Sequence, residues 1–221
     1  MSILGYLDMV LDAPEDHPGQ HEAFLRIAQS NAEKLLNLVS DLLSISSDSM
    51  GVHPQRIDLT DLIGMCVASA NPRATSRGVD IVNEATRSLW LTADPGRVTQ
   101  VLDNLLSNAI KYSRPGDTVT IRTWETADVV CFSVTDTGIG IAEEDLPKIF
   151  TRYFRSDRVR ESSIPGVGLG LGIVKRIVEN HGGSVTANSR PNLGSTFTVT
   201  LPKGTANAVT GYGGHPNEPT S

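Results

Sequence analysis

The sequence predicts an α/β domain that follows a helical hairpin. From Val52 onward, short runs rich in β-branched residues alternate with stretches of helical periodicity, which is typical of a mixed sheet covered by helices. Before that point, apolar residues recur every three or four positions, which indicates helices. The chain has 221 residues, 39% of them hydrophobic, enough to bury a core in one or two domains.

The composition argues against several classes of function. A net charge of −6 disfavours nonspecific binding of nucleic acid or of an anionic membrane surface. No apolar run is long enough to span a bilayer, and residues 1–10 lack the basic start and cleavage pattern of a signal peptide. Cys66 and Cys131 lie far apart in apolar stretches. We therefore expect reduced, buried thiols in a cytoplasmic protein rather than a disulfide or a zinc site.

Residues 1–46 form the predicted helical hairpin. A Pro- and Gly-containing turn, DAPEDHPGQ, separates its helices, and the second helix runs from about Gln20 to Ser46. A lone hairpin cannot bury the apolar seam of this helix, so we expect a second copy to complete a four-helix bundle; a helix packed on its own domain is the alternative. The seam alternates spacings of four and three, with Asn31 in its one gap: Phe24, Ala28, Leu35, Leu38, Leu42 and Ile45.

The α/β part opens with strands and two helices. RIDL (56–59), residues 79–84 and residues 89–93 are predicted strands, and Thr60 is the expected cap of a helix that ends near Ser76. A second helix covers DPGRVTQVLDNLLSNAIKYS, where an aspartate cap and a first-turn proline mark the start.

Two hairpins and a helix complete the domain. TVTIRTWET with DVVCFSVTD, and SVTANS with STFTVTLP, predict two β-hairpins. Between them we expect a short helix over 143–150, a loop over 152–167 and a helix over GLGLGIVKRIVENHGG that ends at Gly182. The polar, Gly- and Pro-rich segment from Lys203 onward is expected to be a disordered tail.

Three groups of residues have the chemistry of a nucleotide site. Asn104 and Asn108, with Lys111 one turn on, lie on one helical face and suit a magnesium–phosphate group. Asp136 ends an apolar strand, where its carboxylate can accept from the amine of adenine, and glycines follow it. Glycines alternate over 166–172 at a helix start, where backbone amides can bind phosphate. Each group alone also fits a solvated face or an ordinary turn.

The order and spacing of these groups resemble the ATP-binding domain of sensor histidine kinases. The similarity covers nearly all of residues 55–202 and includes the aromatic segment IFTRYFRSD and the closing GSTFTVTLP. It implies the GHKL (Bergerat) fold, an α/β two-layer sandwich with a mixed sheet under helices. It also implies three segments: a partial dimerisation and histidine-phosphotransfer hairpin over 1–50, a catalytic ATP-binding domain over 51–202 and a tail over 203–221.

The resemblance implies ATP and Mg²⁺ as ligands and assigns residues to them. Asn108 would be the main magnesium ligand with Asn104 assisting, and these two with Lys111 would be the catalytic residues. Phe150 and Phe154 would anchor a lid over 156–167. The implied nucleotide-binding positions are Asn108, Lys111, Tyr112, Asp136, Gly138, Gly140, Ile141, Phe150, Phe154, Arg155, Gly166, Gly168, Leu169, Gly170 and Thr196.

The resemblance also implies what this chain would do. Family members carry the phosphoacceptor histidine about two helical turns before the position of Ser2, so autophosphorylation of this chain alone is not expected. Because Asn104 is an amide and cannot act as a base, ATP hydrolysis should be slow or absent. All the remaining histidines are expected at the surface: His17, His21, His53, His181 and His215.

Three functions remain open from the sequence. The first is the catalytic portion of a protein histidine kinase that transfers the γ-phosphate to a histidine and thence to an aspartate of a response regulator. It implies a homodimer through residues 1–46 and a cytoplasmic location, with the parent protein anchored in the inner membrane as one option. The second is a non-catalytic nucleotide-binding module that pairs with intact kinases or regulators. The third, a serine kinase of the anti-sigma type, is disfavoured by the helical hairpin.

Overall fold

The computed structural model describes residues 24, 25, 27, 53–160, 164 and 167–204, with the backbone alone for two arginines, 158 and 160. Contacts divide the chain into two compact units, Met1–Gly51 with Ile149–Ile173 and Val52–Lys148 with Val174–Ser221. Residues 24, 25 and 27 are helical, as the sequence predicts. The rest of the predicted hairpin and seam, and the tail after 204, lie outside the described residues.

The second unit holds the strands and two long helices. The two long helices are α1 (Leu59–Ser76) and α2 (Pro95–Tyr112), and a 3₁₀ turn covers Leu146–Lys148. In the first unit lie α3 (Asp157–Arg160) and the start of α4 (Gly170–Asn180). The strands are β1 (Gln55–Asp58), β2 (Asp80–Asn83), β3 (Trp90–Ala93), β4 (Thr118–Glu125), β5 (Val129–Asp136), β6 (Ser184–Arg190) and β7 (Gly194–Pro202).

Five strands form one mixed sheet in the order β2-β4-β5-β7-β6. Among the strands that the structure describes in this sheet, β2 and β4 pair in parallel and the other neighbours are antiparallel. Strands β4 with β5, and β6 with β7, are neighbours in sequence and in the sheet, so both predicted hairpins are confirmed. A separate antiparallel ribbon joins β1 to β3.

One face of the five-stranded sheet carries the core. Helix α1 packs against α2 and β2, and α2 also packs against β5. Because side chains alternate along a strand, every second residue faces this layer, and the buried ones in the three central strands are apolar except Asp136 and Ser195. The apolar ones are Val119 and Ile121 in β4, Val130, Phe132 and Val134 in β5, and Phe197, Val199 and Leu201 in β7, all buried.

Two element ends differ from the sequence prediction. The cap of α1 is Asp58 and not Thr60, because the Asp58 carboxylate accepts the Thr60 N–H at 2.9 Å and also the Leu89 N–H at 3.2 Å. The bond to Leu89 comes from tertiary structure and cannot be seen in a local pattern. The short helix predicted over 143–150 is only the 3₁₀ turn, whose middle residue, Pro147, has no N–H to donate.

The predicted loop and final helix are also refined. Residues 152–167 include the four-residue helix α3, and α4 ends at Asn180, two residues before the predicted end. Within the stretches that the structure describes, no helix combines the length and apolar character needed to cross a bilayer.

Candidate functional site

Helix α2 presents two carboxamides and an ammonium group on its polar side. This side of α2 carries three half-buried residues, Asn104, Asn108 and Lys111. The other side of the helix packs into the core. The Asn104 Nδ2 donates to the Gln100 carbonyl at 2.9 Å, which leaves the Asn104 Oδ1 as its acceptor atom. Over the described part of the chain, the Asn108 carboxamide makes no hydrogen bond. The Lys111 ammonium lies 4.8 Å from the centre of the Tyr112 ring.

Asp136 is a buried carboxylate at the end of β5. It is 5% exposed, and its Oδ1 accepts the Gly138 N–H at 2.9 Å. Burial raises the pKa of the Asp136 carboxyl to about 6, although hydrogen bonds from the backbone of Gly138 and Ser195 act in the opposite direction. Two donors use only part of the acceptor capacity of a carboxylate. The site can therefore accept a further hydrogen bond, as from the amine of an adenine ring.

The glycines after Asp136 let backbone segments approach each other. A Cβ on Gly138 would lie 2.3 Å from the Tyr112 carbonyl oxygen, at the end of α2. The same oxygen accepts the Ile139 N–H at 3.1 Å. The end of α2 is thereby fixed to the turn that follows Asp136. The structure thus gives Gly138 a role in backbone packing, and its predicted place at the nucleotide stays a prediction.

A second close approach holds the other side of this turn. Gly140 has φ +65°, and a Cβ added there would lie 2.0 Å from the Arg190 carbonyl oxygen. The next N–H, that of Ile141, donates to Ser189 Oγ at 2.8 Å. The turn is therefore anchored to the end of β6 as well as to α2.

The pairing of β5 with β7 places Ser195, and not Thr196, beside Asp136. Ser195 is the direct partner of Asp136 in the register and is 7% exposed, so both side chains lie on the same face of the sheet. Thr196 pairs with Thr135 on the opposite face, where their Oγ1 atoms are 3.1 Å apart. The structure therefore does not bring Thr196 together with Asp136, and Ser195 lies beside Asp136 instead.

The remaining predicted residues belong to the first unit. The Tyr153 N–H donates to the Gly168 carbonyl at 2.8 Å, and a Cβ on Gly168 would lie 2.6 Å from the Phe154 carbonyl oxygen. Arg155 Nη2 donates to the backbone oxygens of Val159 at 3.2 Å and Ile164 at 2.7 Å. The glycine-rich segment is thus bonded to the aromatic segment within this unit.

The roles predicted for the residues of the first unit as nucleotide ligands stay predictions. Leu169 is buried, Phe150 is half-buried and Gly170 begins α4. Gly166 lies outside the described residues.

The donor set suits a magnesium ion that arrives with phosphate. Asn104 and Asn108 supply neutral amide oxygens. Among the described residues, no group of three or more His, Cys, Asp or Glu side chains could hold a metal ion alone. Magnesium is commonly bound through one or two protein oxygens together with substrate phosphates. The residues present therefore fit a magnesium–nucleotide complex and not an all-protein metal cage.

One sequence prediction about a histidine is wrong. His181, expected at the surface, is only 3% exposed, and both ring nitrogens have partners. His53 is exposed, as predicted. The sequence gives no local signal for this burial, because Asp94, the partner of the His181 Nε2, is far away along the chain.

Known proteins are similar to this chain in sequence and in fold. A family model described as "Histidine kinase-, DNA gyrase B-, and HSP90-like ATPase" matches residues 93–205. The sensor histidine kinase WalK of Bacillus subtilis is 35% identical over 202 residues, which are 89% of this chain and 33% of WalK. The chain thus spans about a third of the length of this relative.

Solved structures of two kinases are also similar. Full-length ShkA, in complex with AMPPNP, matches 92% of this chain and 43% of its own, with 27% identity and a TM-score of 0.71. Histidine kinase ThkA, in complex with response regulator protein TrrA, matches 91% of this chain and 56% of its own, with 25% identity and a TM-score of 0.67.

The fold and the site define an α/β protein in which a mixed sheet is packed under helices, with its polar groups at one end of the sheet. The chain belongs to the family of histidine kinase-, DNA gyrase B- and HSP90-like ATPases, and its homologues include proteins named sensor histidine kinases.

Proposed function

We propose that this chain is the catalytic, ATP-binding portion of a sensor histidine kinase. It binds Mg-ATP and presents the γ-phosphate to a histidine, from which the phosphoryl group passes to an aspartate of a response regulator. The observation that carries the proposal is Asp136, a buried, acceptor-only group at the end of β5 with capacity for one more donor. The similarity to WalK, ShkA and ThkA supports it by family.

Each polar group of the site has a separate role in this proposal. Asp136 accepts from the adenine amine, and Asn108 with Asn104 offers oxygens to the magnesium ion, which neutralises phosphate charge. Lys111 adds a positive charge on the same face of α2. During transfer the bond from the γ-phosphorus to the bridging oxygen breaks, ADP leaves with that electron pair, and an imidazole nitrogen forms the new bond. Catalysis is mainly positioning and charge neutralisation.

Asn104 separates this proposal from a fast ATPase. A carboxylate could activate water for attack on the γ-phosphate, but a carboxamide cannot accept that proton. In this chain the Asn104 amide nitrogen is also engaged with the Gln100 carbonyl. We therefore propose that the nucleotide is held intact until a histidine arrives.

Partners and location follow from the same proposal. ThkA has been solved with a response regulator, which supports a regulator as the final acceptor here. We also propose that residues 1–46 contribute to a homodimer and that the domain works in the cytoplasm, where ATP is supplied.

The test measures phosphate transfer with a matched pair of variants. The chain is mixed with labelled ATP, Mg²⁺ and a phosphotransfer domain that carries an acceptor histidine. We expect label on that histidine, and a loss of roughly 100-fold for Asn108→Ala because a ligand of the magnesium–phosphate group is removed. Asn188→Ala changes an exposed asparagine on β6 and should keep the wild-type rate.

The outcomes separate the alternatives. Nucleotide binding without any transfer to several acceptor domains would favour the non-catalytic module. Hydrolysis much faster than transfer would contradict the role given to Asn104. Equal transfer by Asn108→Ala and wild type would contradict the proposed magnesium ligand.

A further inference from the structure

His181 is a buried histidine that joins the ends of two helices. It follows α4 directly and is 3% exposed. Its Nε2 lies 3.1 Å from the backbone nitrogen of Asp94, and its Nδ1 lies 2.8 Å from the carbonyl oxygen of Ile177. Asp94 caps the start of α2 and Ile177 lies in the last turns of α4. One imidazole therefore bonds to both helices.

The two partners determine where the imidazole proton lies. A backbone N–H can only donate, so Nε2 must offer its lone pair to Asp94. A carbonyl oxygen can only accept, so Nδ1 must carry the hydrogen that points to Ile177. Only the neutral form with hydrogen on Nδ1 satisfies both contacts. The other neutral form and the cation would each set an N–H against the N–H of Asp94.

His181 supplies an acceptor that the local sequence of α2 lacks. In a capping box, a Glu or Gln at the third helical position accepts the N–H of the cap residue. Here that position is Arg97, which has no acceptor. The Asp94 carboxylate accepts the N–H of Arg97 at 3.1 Å and that of His53 at 3.0 Å, whereas the N–H of Asp94 itself bonds to His181. The imidazole of His181, which follows α4, thus takes the place of the acceptor that a capping box would supply.

We propose that His181 is a positioning residue of the nucleotide site, which fixes the first turn of α2 and thereby the direction in which α2 presents Asn104 and Asn108. A helix is stiff, and these residues lie about 15 and 21 Å along its axis from Asp94. A small tilt at the first turn therefore moves both carboxamides. This inference rests on the proposed function, since it assumes that the carboxamides bind the magnesium–nucleotide complex.

Two substitutions separate the two hydrogen bonds of the ring. His181→Gln places an oxygen near the position of Nε2 and can still accept from Asp94. His181→Asn places its amide near Nδ1 and can still donate to Ile177, but it is too short to reach Asp94. We measure affinity for Mg²⁺ with a nonhydrolysable ATP analogue, well below the melting temperature. Hydrogen exchange of the Asp94 amide and thermal stability are measured on the same samples.

We expect His181→Asn to bind the analogue about tenfold more weakly, with faster exchange at Asp94, and His181→Gln to stay near wild type. Ile121→Ala, a buried strand substitution, is the control for lost stability alone. An affinity loss in His181→Asn no larger than in this control would overturn the proposal, as would equal affinities of the Gln and Asn variants.

One measurement needs no variant. In wild type, the ¹⁵N shifts of His181 should show a protonated Nδ1 and an unprotonated Nε2, and the reverse pattern would overturn the proposal even if His181→Asn fails to fold. A wild-type chain that binds no nucleotide would instead contradict the proposed function itself.

Discussion

Replacing Asp136 by asparagine is expected to weaken ATP binding roughly 10- to 100-fold and to remove the preference for adenine. The carboxylate can only accept, which matches the adenine amine, whereas a carboxamide also presents donors. Inosine triphosphate has an oxygen in place of that amine, so its affinity should change much less or improve. The measurement is the ratio of ATP to ITP dissociation constants by titration calorimetry.

A matched substitution controls for the loss of a charge. Asp80→Asn changes an exposed aspartate on β2 and should leave the ATP-to-ITP ratio at the wild-type value. If Asp136→Asn keeps the wild-type ratio, adenine is not read by this side chain.

The raised pKa of Asp136 predicts a pH dependence of the same ratio. Burial raises this pKa to about 6, so the acceptor form is lost as the pH falls through that value. The preference for ATP over ITP should therefore decrease from pH 8 to pH 5 in wild type. Titration of the phosphates affects both nucleotides alike and cancels in the ratio. A ratio that is constant across this range would contradict the assignment.

The same pKa has a consequence for stability without nucleotide. The folded value of about 6 lies above the ordinary value of 3.8, so the folded protein holds the proton more tightly. The contribution of this group to the free energy of unfolding is therefore largest at low pH and decreases by about 3 kcal/mol as the pH rises from roughly 4 to 6. In urea unfolding, the free energy of unfolding of wild type should show this decrease across the pH window, whereas that of Asp136→Asn should not.

Replacing Gly194 by alanine is expected to destabilise the domain by more than about 4 kcal/mol. Gly194 has φ +87°, and its Cβ would lie 1.8 Å from the Asp136 carbonyl oxygen, a backbone atom that cannot rotate away. The first residue of β7 would have to separate from the end of β5. The measurement is the free energy of unfolding in urea, or the soluble folded yield if the variant does not fold.

Gly116 offers a control with nearly the same backbone. It has φ +90°, but a Cβ added there would meet no atom within 4 Å, so Gly116→Ala meets only the strain of a left-handed conformation, about 1–2 kcal/mol. The difference between the two variants measures the close contact alone. Equal losses would show that the approach of Gly194 to β5 is not tight.

Local patterns were sufficient for most of the fold. The β-branched runs predict both hairpins, and Asp94 with Pro95 marks the start of α2, as the structure has it. These features depend on neighbours in sequence, such as a cap within the first turn or a strand followed by its partner. The amide pair on α2 also follows from helical geometry alone.

The residues that the sequence misplaced depend on distant partners. The predicted cap of α1 is Thr60, but Asp58 is the cap, and its carboxylate also accepts the N–H of the distant Leu89. Whether Ser195 or Thr196 faces Asp136 depends on the register between β5 and β7, since a shift of one residue exchanges the two faces. His181 is buried at a point where its Nε2 accepts the N–H of Asp94, which is distant in the sequence.

The strand order has a consequence for how the site forms as the chain folds. Each hairpin joins strands that are close in sequence, so it can form early, whereas β5 and β7 pair over a long stretch of chain. The contact of Asp136 with Gly194 and Ser195 exists only after this non-local pairing is complete. The surroundings of Asp136 are thus assembled at the slowest kind of step in sheet formation. A ligand bound there recognises only chains that have completed the step, and by mass action it draws partly folded chains towards the native state.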